Sequence, residues 1–316
     1  MNMRTFSVLI LLLAILSAAL WYRTLVQPPE HLMTASSLHG FIPTHLDLNA
    51  IDSLEFSKPQ SVTVQVQKKD GHWELPALGG APANAQHIEQ LLAAIADLRG
   101  EIRAEGADLW EQFGLVTDQA LQVSLCAQGA EQLCLYFGQG DFRTVFLRVG
   151  DGPAIYAVPG TILTQLGAYG AAWSEQFWLE TTLAAFHPDK IQSVRLKTPR
   201  SEAMLVRTSD APATTSPWAV QHIAGEELSR ESLEAVLPAL SRVAVFAALT
   251  PDDPVRTMLD APQYQMDIVT DTENITLEGS PHHDGALVRR KDQPFIYRMY
   301  PPVFERLFAV QNIQEK

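Results

Sequence analysis

Cysteine is scarce in this chain: Cys126 and Cys134 are the only two among 316 residues. Two thiols exclude a disulfide-stapled scaffold and a four-cysteine zinc centre. Basic residues are also short, with 23 Lys and Arg against 36 Asp and Glu, a net charge of −13. A surface this acidic repels phosphate backbones and argues against nucleic acid as a partner. The 20 prolines and 18 glycines form no low-complexity tract. Catalytic signatures are missing as well. There is no G-x-S-x-G elbow, no P-loop, no G-x-G-x-x-G after a strand and no H-E-x-x-H. No cofactor is expected and no enzyme class is read. What remains is an ordinary globular composition, 47% apolar and 19% charged, long enough for about two domains of roughly 150 residues.

One long apolar run is present. Phe6 to Tyr22 reads FSVLILLLAILSAALWY, without charge, Gly or Pro, between Arg4 and Arg23. Its length sits at the lower edge of what spans a bilayer, and Trp21 and Tyr22 fall where an interfacial aromatic belt would lie. An uncleaved signal-anchor over residues 1–23 accounts for the run and the aromatic pair. A cleaved signal peptide, with Ser17-Ala18-Ala19 as its small-residue site, is the competing reading. Without residues 1–23 the chain keeps 21 bases against 36 acids, a net −15. Acids do not hold a segment in the cytoplasm, so the expectation is a single-pass inner-membrane protein whose body lies on the periplasmic side. Residues 24–40, with Pro28-Pro29, read as a spacer.

The rest carries an internal repeat. Ile51, Leu54 and Phe56 match Ile191, Val194 and Leu196, 140 residues later, and Val64 and Val66 match Met204 and Val206 at the same offset. Trp73 matches Trp218, 145 residues later, the change falling where SDAPATTSP replaces a tight KKDG turn. That offset continues through Asn84 and Ser229, through the apolar stripes Ile88–Leu91–Leu92–Ile95 and Leu233–Val236–Leu237–Leu240, and through Leu121–Val123 and Met266–Ile268. Tyr156 matches Tyr297 at 141. Each unit is domain-sized rather than a solenoid repeat.

Within a unit, alternation marks strands and 3.6-residue spacing marks one helix. Val62, Val64 and Val66 alternate, Asp70-Gly71 turns the chain, Trp73 and Leu75 start the return, and Asn84 caps the helix that Gly100 ends. Leu121 to Leu125, Leu133 to Phe137, Val145 to Val149 and Ile155 to Val158 are further strands, Gly138-Gln139-Gly140 is a turn, and Pro159 opens a short helix to Leu166. In the second unit Pro238 lies inside the helix and should kink or interrupt it. The fold class is α+β: a tandem duplication of an antiparallel-sheet unit with one main packed helix, over residues 41–170 and 183–316, joined by an aromatic connector at 171–182, after one N-terminal transmembrane helix.

These features together, namely the anchor, Ile51–Leu54, Asp70-Gly71-His72-Trp73-Glu74-Leu75, Asn84 to Leu98 and Ile155-Tyr156-Ala157-Val158, resemble the domain of unknown function 4340 family of bacterial envelope proteins. The resemblance covers nearly everything beyond residue 41 and is clearer in the first unit. It implies company with ABC-type transport components resembling gliding-motility auxiliary proteins, and it brings no catalytic residues.

Residue types that carry chemistry are few. His282-His283-Asp284, on a loop between Pro281 and Gly285, is the compact cluster of metal-ligand types; two adjacent histidines need a third ligand and supporting contacts, and the loop reads as a solvated turn with no metal. Asp252-Asp253 and Glu226-Glu227 read as loop charge. Trp73 and Trp218 read as packing rather than sugar stacking. Trp173, Phe177 and Trp178 read as a plug between the units, with a partner-binding patch as the alternative. Cys126 and Cys134, symmetric about Ala130, are expected to form a cross-strand disulfide unless a bulge near Gly129 turns them apart. The function expected is a non-catalytic, membrane-anchored extracytoplasmic accessory or scaffold of a membrane transport complex. A ligand- or glycan-binding module using the cleft between the units is the alternative, and a hydrolase built on His282 and His283 is a third reading.

Overall fold

The structure, a computed structural model, describes residues 39–40, 46–169, 173–208 and 218–310. The apolar run, almost all of the spacer and the SDAPATTSP loop lie outside the described residues. The first half of the chain supplies β1 (His39–Gly40), β2 (Ser53–Ser57), β3 (Val64–Lys69), β4 (His72–Leu75), β5 (Ala81–Pro82), α1 (Ala85–Ala96), β6 (Arg99–Glu105), β7 (Leu121–Ala127), β8 (Ala130–Gly140), β9 (Thr144–Val149), β10 (Ala154–Pro159) and α2 (Ile162–Gln165). The second half supplies β11 (Thr182–Ala184), β12 (Ile191–Lys197), β13 (Ser201–Arg207), β14 (Trp218–Gly225), α3 (Arg230–Glu234), α4 (Val236–Leu240), β15 (Val243–Ala244), β16 (Ala247–Ala248), β17 (Tyr264–Thr270), β18 (Asn274–Ser280), β19 (Ala286–Arg290), β20 (Tyr297–Met299) and α5 (Pro301–Leu307).

Large antiparallel sheets and a few helices make this an α+β architecture. The first sheet runs β1-β6-β10-β9-β8-β7-β2-β3-β4-β5 and the second β14-β13-β12-β17-β18-β19-β20-β16. Read from β4, the first sheet is β4-β3-β2-β7-β8-β9-β10-β6, the same succession as the second. A small two-stranded sheet pairs β11 with β15.

Local chemistry accounts for most of these elements. In β3, Val64 and Val66 are buried and Gln65 is exposed, the alternation of a half-buried strand. Asp70 and Gly71 both have positive φ, 50° and 83°, the geometry of a two-residue hairpin turn that twists with its strands. Asn84 Oδ1 accepts from the His87 N–H at 3.0 Å, and α1 buries Ile88, Leu91, Leu92 and Ile95 against the sheet. Ser229 Oγ accepts from the Ser232 N–H at 3.1 Å. The second helix is divided at Ala235 into α3 and α4, with Pro238, which has no N–H to give, in α4.

Strand pairing revises parts of the sequence reading. Leu54 pairs with Val66 and Phe56 with Val64, while Val194 pairs with Leu205 and Leu196 with Ala203. The positions equivalent to Val64 and Val66 are therefore Ala203 and Leu205, both buried, and not Met204 and Val206. A one-residue slip exchanges the faces of a strand. Likewise Phe56 pairs with Val123 and Leu196 with Met266, which makes Val123 equivalent to Met266, 143 residues later rather than 145. The helix stripe does hold 145, since Leu233, Val236, Leu237 and Leu240 are all buried.

Three boundaries also move. Gly100 does not end α1, which closes at Asp97; it lies in β6, where an added Cβ would come within 2.8 Å of Val158 Cγ1. Gly138-Gln139-Gly140 is the end of β8 rather than a turn. A Cβ on Gly138 would lie 2.2 Å from the Phe113 carbonyl oxygen, so the strand passes against the 107–120 loop only because no side chain intervenes. Pro159 ends β10, and the helix starts later, at Ile162.

The apolar faces of both sheets, α1, α4 and α5 contribute to one continuous core, from Ile51 to Phe308. Trp178 is among its largest fully buried side chains.

Candidate functional site

The connector holds the three aromatic residues singled out above, and the structure separates them. Trp178 is only 1% exposed. Its indole stacks on Phe56, ring centroids 4.5 Å apart and planes 10° from parallel, and on the other side faces the His87 imidazole at 4.7 Å. Phe177 meets His87 edge-on at 4.9 Å and remains 40% exposed. Trp173 donates its indole N–H to the Val62 carbonyl at 2.9 Å, with Lys58 Nζ 5.7 Å above its ring. As a partner surface the trio is therefore corrected: Trp178 is core and unavailable, and Phe177 is its accessible member.

The same segment joins the two halves by hydrogen bonds. The Asn84 N–H donates to Trp178 O at 2.7 Å and the Glu180 N–H to Pro82 O at 2.9 Å. Toward the second half, Gln176 grips the backbone of Ala248, accepting from its N–H at 2.8 Å and donating to its carbonyl at 2.9 Å. The Val245 N–H donates to Thr181 O at 2.8 Å. His87 carries no recognisable sequence signal beyond its place on a helix face, yet its Nε2 lies 3.0 Å from Gln165 O and its ring lines the connector.

The two cysteines do not pair. Gln128 and Gly129, φ 54° and 75°, make the hairpin turn, so Ala127 opposes Ala130 and Cys126 opposes Glu131. A register shift between Leu125 and Cys126 then sets Ser124 opposite Cys134. The turn lies earlier than the symmetry about Ala130 implied, and both thiols are free. Cys134 is buried, with Ser124 Oγ 3.6 Å from its sulfur. Cys126 is half-buried, and burial followed by the nearby carboxylates of Glu131, Glu55 and Asp52 pushes its pKa up. Cys126, among carboxylates, lacks the electropositive setting of a reactive thiol.

Beside Cys134 sits a buried cation that sequence reasoning missed. Arg148 is 2% exposed, its guanidinium held between the rings of Tyr136, at 3.5 Å, and Trp110, at 4.1 Å. Its Nε donates to Leu115 O at 2.8 Å and its Nη1 to Gly150 O. These contacts pin the 107–120 loop to the sheet. Tyr136 is pushed up to about 12, mainly by its hydrogen bond with Cys134 and by burial.

In the second half, His282, His283 and Asp284 bring their ligand-type atoms within 4.8 Å of one another on the β18–β19 loop. Asp284 N–H donates to His282 Nδ1 at 3.2 Å, and His283 Nε2 lies 3.1 Å from Asp284 Oδ2. Arg298 also reaches Asp284, Nη1 to Oδ2 at 3.8 Å, and Asp253 at 3.9 Å. Burial, then the neighbouring His283 and Arg298, hold the His282 pKa below its usual value. A divalent cation would have to compete with the guanidinium for Asp284. Of the acidic pairs, Asp253 caps a 3-10 turn by accepting from the Val255 N–H at 3.0 Å, and Glu227 comes 3.5 Å from His222. Trp73 and Trp218 are buried, each under a cation: Lys68 at 5.8 Å and Arg207 at 5.5 Å. Sugar stacking is closed to both.

Grooves among the described residues include three open ones, each within one half. The roomiest of these three, about 660 Å³, is bordered by Val220, His222, Glu227 and Arg230. The others lie beside α2 and beside the Asp271 turn. No helix in the described residues is long and apolar enough to cross a membrane.

The model of the family described as Domain of unknown function (DUF4340) matches residues 73–262, that is 190 of the 316 residues, from Trp73 across the connector into the second sheet. No curated protein and no solved structure matches the chain. The matched stretch covers α1, most of the first sheet, the seam around Trp178 and the opening strands of the second: this chain belongs to the DUF4340 family.

Proposed function

We propose that this protein is a non-catalytic, membrane-anchored extracytoplasmic accessory or scaffold of a membrane transport complex, of the ABC type. The observation that carries this reading is the uncharged run Phe6–Tyr22, ahead of a body with 21 bases and 36 acids. A transmembrane helix at that run would hold a two-sheet body at the outer face of the inner membrane, on the spacer of residues 24–40. The body would offer surface rather than chemistry. The buried Arg148 is spent on backbone carbonyls, and the histidine cluster is tied into a loop with Arg298.

The two halves are, in this reading, copies of one α+β unit. The shared strand succession, the equivalent caps Asn84 and Ser229, and the cation-covered Trp73 and Trp218 support a tandem duplication. The test of location is an alkaline carbonate wash of membranes from cells making the full chain, with protease added to intact spheroplasts. Retention after the wash with digestion from outside agrees with the proposal. Release into the wash, or protection from external protease, contradicts it.

A further inference from the structure

One end of the first sheet differs from the other. At it lie the last residues of β2, β8 and β10 and the first of β3, β6, β7 and β9. Three large apolar side chains stand exposed on its loops: Val62 at 58%, Phe142 at 62% and Tyr169 at 52%. Hydrogen bonds knit these loops together. Trp173 Nε1 donates to Val62 O at 2.9 Å, Lys58 Nζ reaches Ala168 O at 3.5 Å, and the Gly160 N–H donates to Arg143 O at 3.2 Å. Residues 58–62, 142–143 and 160–169 contain Lys58 and Arg143 and no acid, and the exposed acids Asp97, ahead of β6, and Asp118, ahead of β7, flank them at the same end. The adjacent Asp141 turns its carboxylate onto the backbone N–H groups of Arg143 and Thr144, at 2.8 and 3.0 Å. The opposite end of the same sheet carries exposed Asp70, Glu105, Asp108, Glu131 and Asp151 on and beside its turns, against the exposed bases Lys68, Lys69 and Arg103.

The chain enters the sheet at the apolar end, where Gly40 pairs with Arg99 at the start of β6. Fifteen residues lie between Arg23 and His39, so the two are at most about 58 Å apart when the segment is fully extended. Resting on the membrane-anchor reading above, we infer that this end of the first sheet lies against the bilayer surface, with Phe142 and Tyr169 at headgroup depth. Aromatic side chains beside Lys and Arg are the composition of a membrane interface. The acidic turns at the far end face away from anionic headgroups, which repel them. Trp173, held under Lys58, sits behind this rim as its support.

The test uses the full chain in proteoliposomes of phosphatidylethanolamine and phosphatidylglycerol. In a Cys126→Ser background the buried Cys134 is shielded, and Phe142→Cys, Tyr169→Cys or, at the far end, Lys69→Cys takes an environment-sensitive fluorophore. The inference expects blue-shifted emission at 142 and 169, strongly quenched by nitroxide-labelled lipid, with neither effect at 69. Carbonate washing of the same vesicles reads the anchor separately. Retained protein with no quenching at 142 and 169, or equal quenching at all three sites, overturns the orientation and leaves the anchor standing. Blue-shifted emission without lipid quenching assigns the rim to a protein neighbour, such as a second copy of this chain, and overturns it too. Protein lost in the wash removes the anchor and this inference together.

Discussion

Trp178 lies flat on Phe56, ring centroids 4.5 Å apart, although the two are separated by 122 residues. Phe56 lies in β2, an interior strand of the first sheet, and Trp178 belongs to the segment that grips Ala248 in the second half. The stack thus ties the connector to the first core at the point where the two halves meet. Trp178→Ala should cost about 3–5 kcal/mol, the range for emptying a large aromatic site. A double-mutant cycle with Phe56→Leu should show coupling of about 0.5–1.5 kcal/mol. Urea denaturation of a chain beginning at Thr34 measures both, and full additivity would deny that the stack matters.

The hairpin register predicts two free thiols. Under denaturing, non-reducing conditions, protein exported to an oxidising compartment should react with two equivalents of thiol reagent. In the folded state Cys126 should react and Cys134 should not, since Cys134 is buried. Because the Cys126 pKa is raised, its alkylation rate should still climb at pH values where an ordinary thiol has levelled off. A count of zero would restore the disulfide.

Arg148 is predicted to be irreplaceable by lysine. A lysine there keeps the charge but loses the planar contact with Tyr136 and Trp110 and the fork that serves Leu115 O and Gly150 O. Arg148→Lys should destabilise by about 2 kcal/mol or more, given roughly 1–3 kcal/mol for each buried carbonyl left unpaired. Limited proteolysis should then cut first within residues 107–120. Unchanged stability would contradict the account of that loop.

Tyr297 sets an alkaline limit. Burial, with Glu180 adding to it, pushes its pKa up to about 12, so between pH 10 and 12 the folded chain holds a proton that the unfolded chain has released. Stability must fall as pH rises through that window. The loss from this residue should be on the order of 2–3 kcal/mol at its end. Tyr297→Phe should flatten that part of the stability curve, and a slope identical to the parent's would show that Tyr297 is not responsible.

Much of the fold was legible because its determinants are local. Asp70-Gly71, the Asn84 and Ser229 caps and the two apolar helix stripes act within a few residues, and each stands where sequence placed it. β6 was missed because Arg99 to Glu105 reads RGEIRAE, with almost no apolar alternation, and becomes a strand through its partner β10. The Met204 and Val206 match failed for a related reason: every residue from Ala203 to Val206 is apolar, so composition alone could not choose the buried face. The disulfide expectation failed on a two-residue turn and one register shift, which no spacing of Cys126 and Cys134 encodes. The rim of Val62, Phe142 and Tyr169 was invisible because exposure is set by how distant loops are brought together.

The central claim is that the body binds a membrane transport complex. Its most direct test is quantitative mass spectrometry of the full-length protein, affinity-purified from detergent-solubilised membranes through a C-terminal tag. Integral subunits of an ABC-type transporter should co-purify in near-stoichiometric amounts, and should still do so when residues 1–23 are replaced by the transmembrane helix of an unrelated single-pass protein. Protein that purifies alone from intact membranes, or with only soluble companions, would contradict the claim.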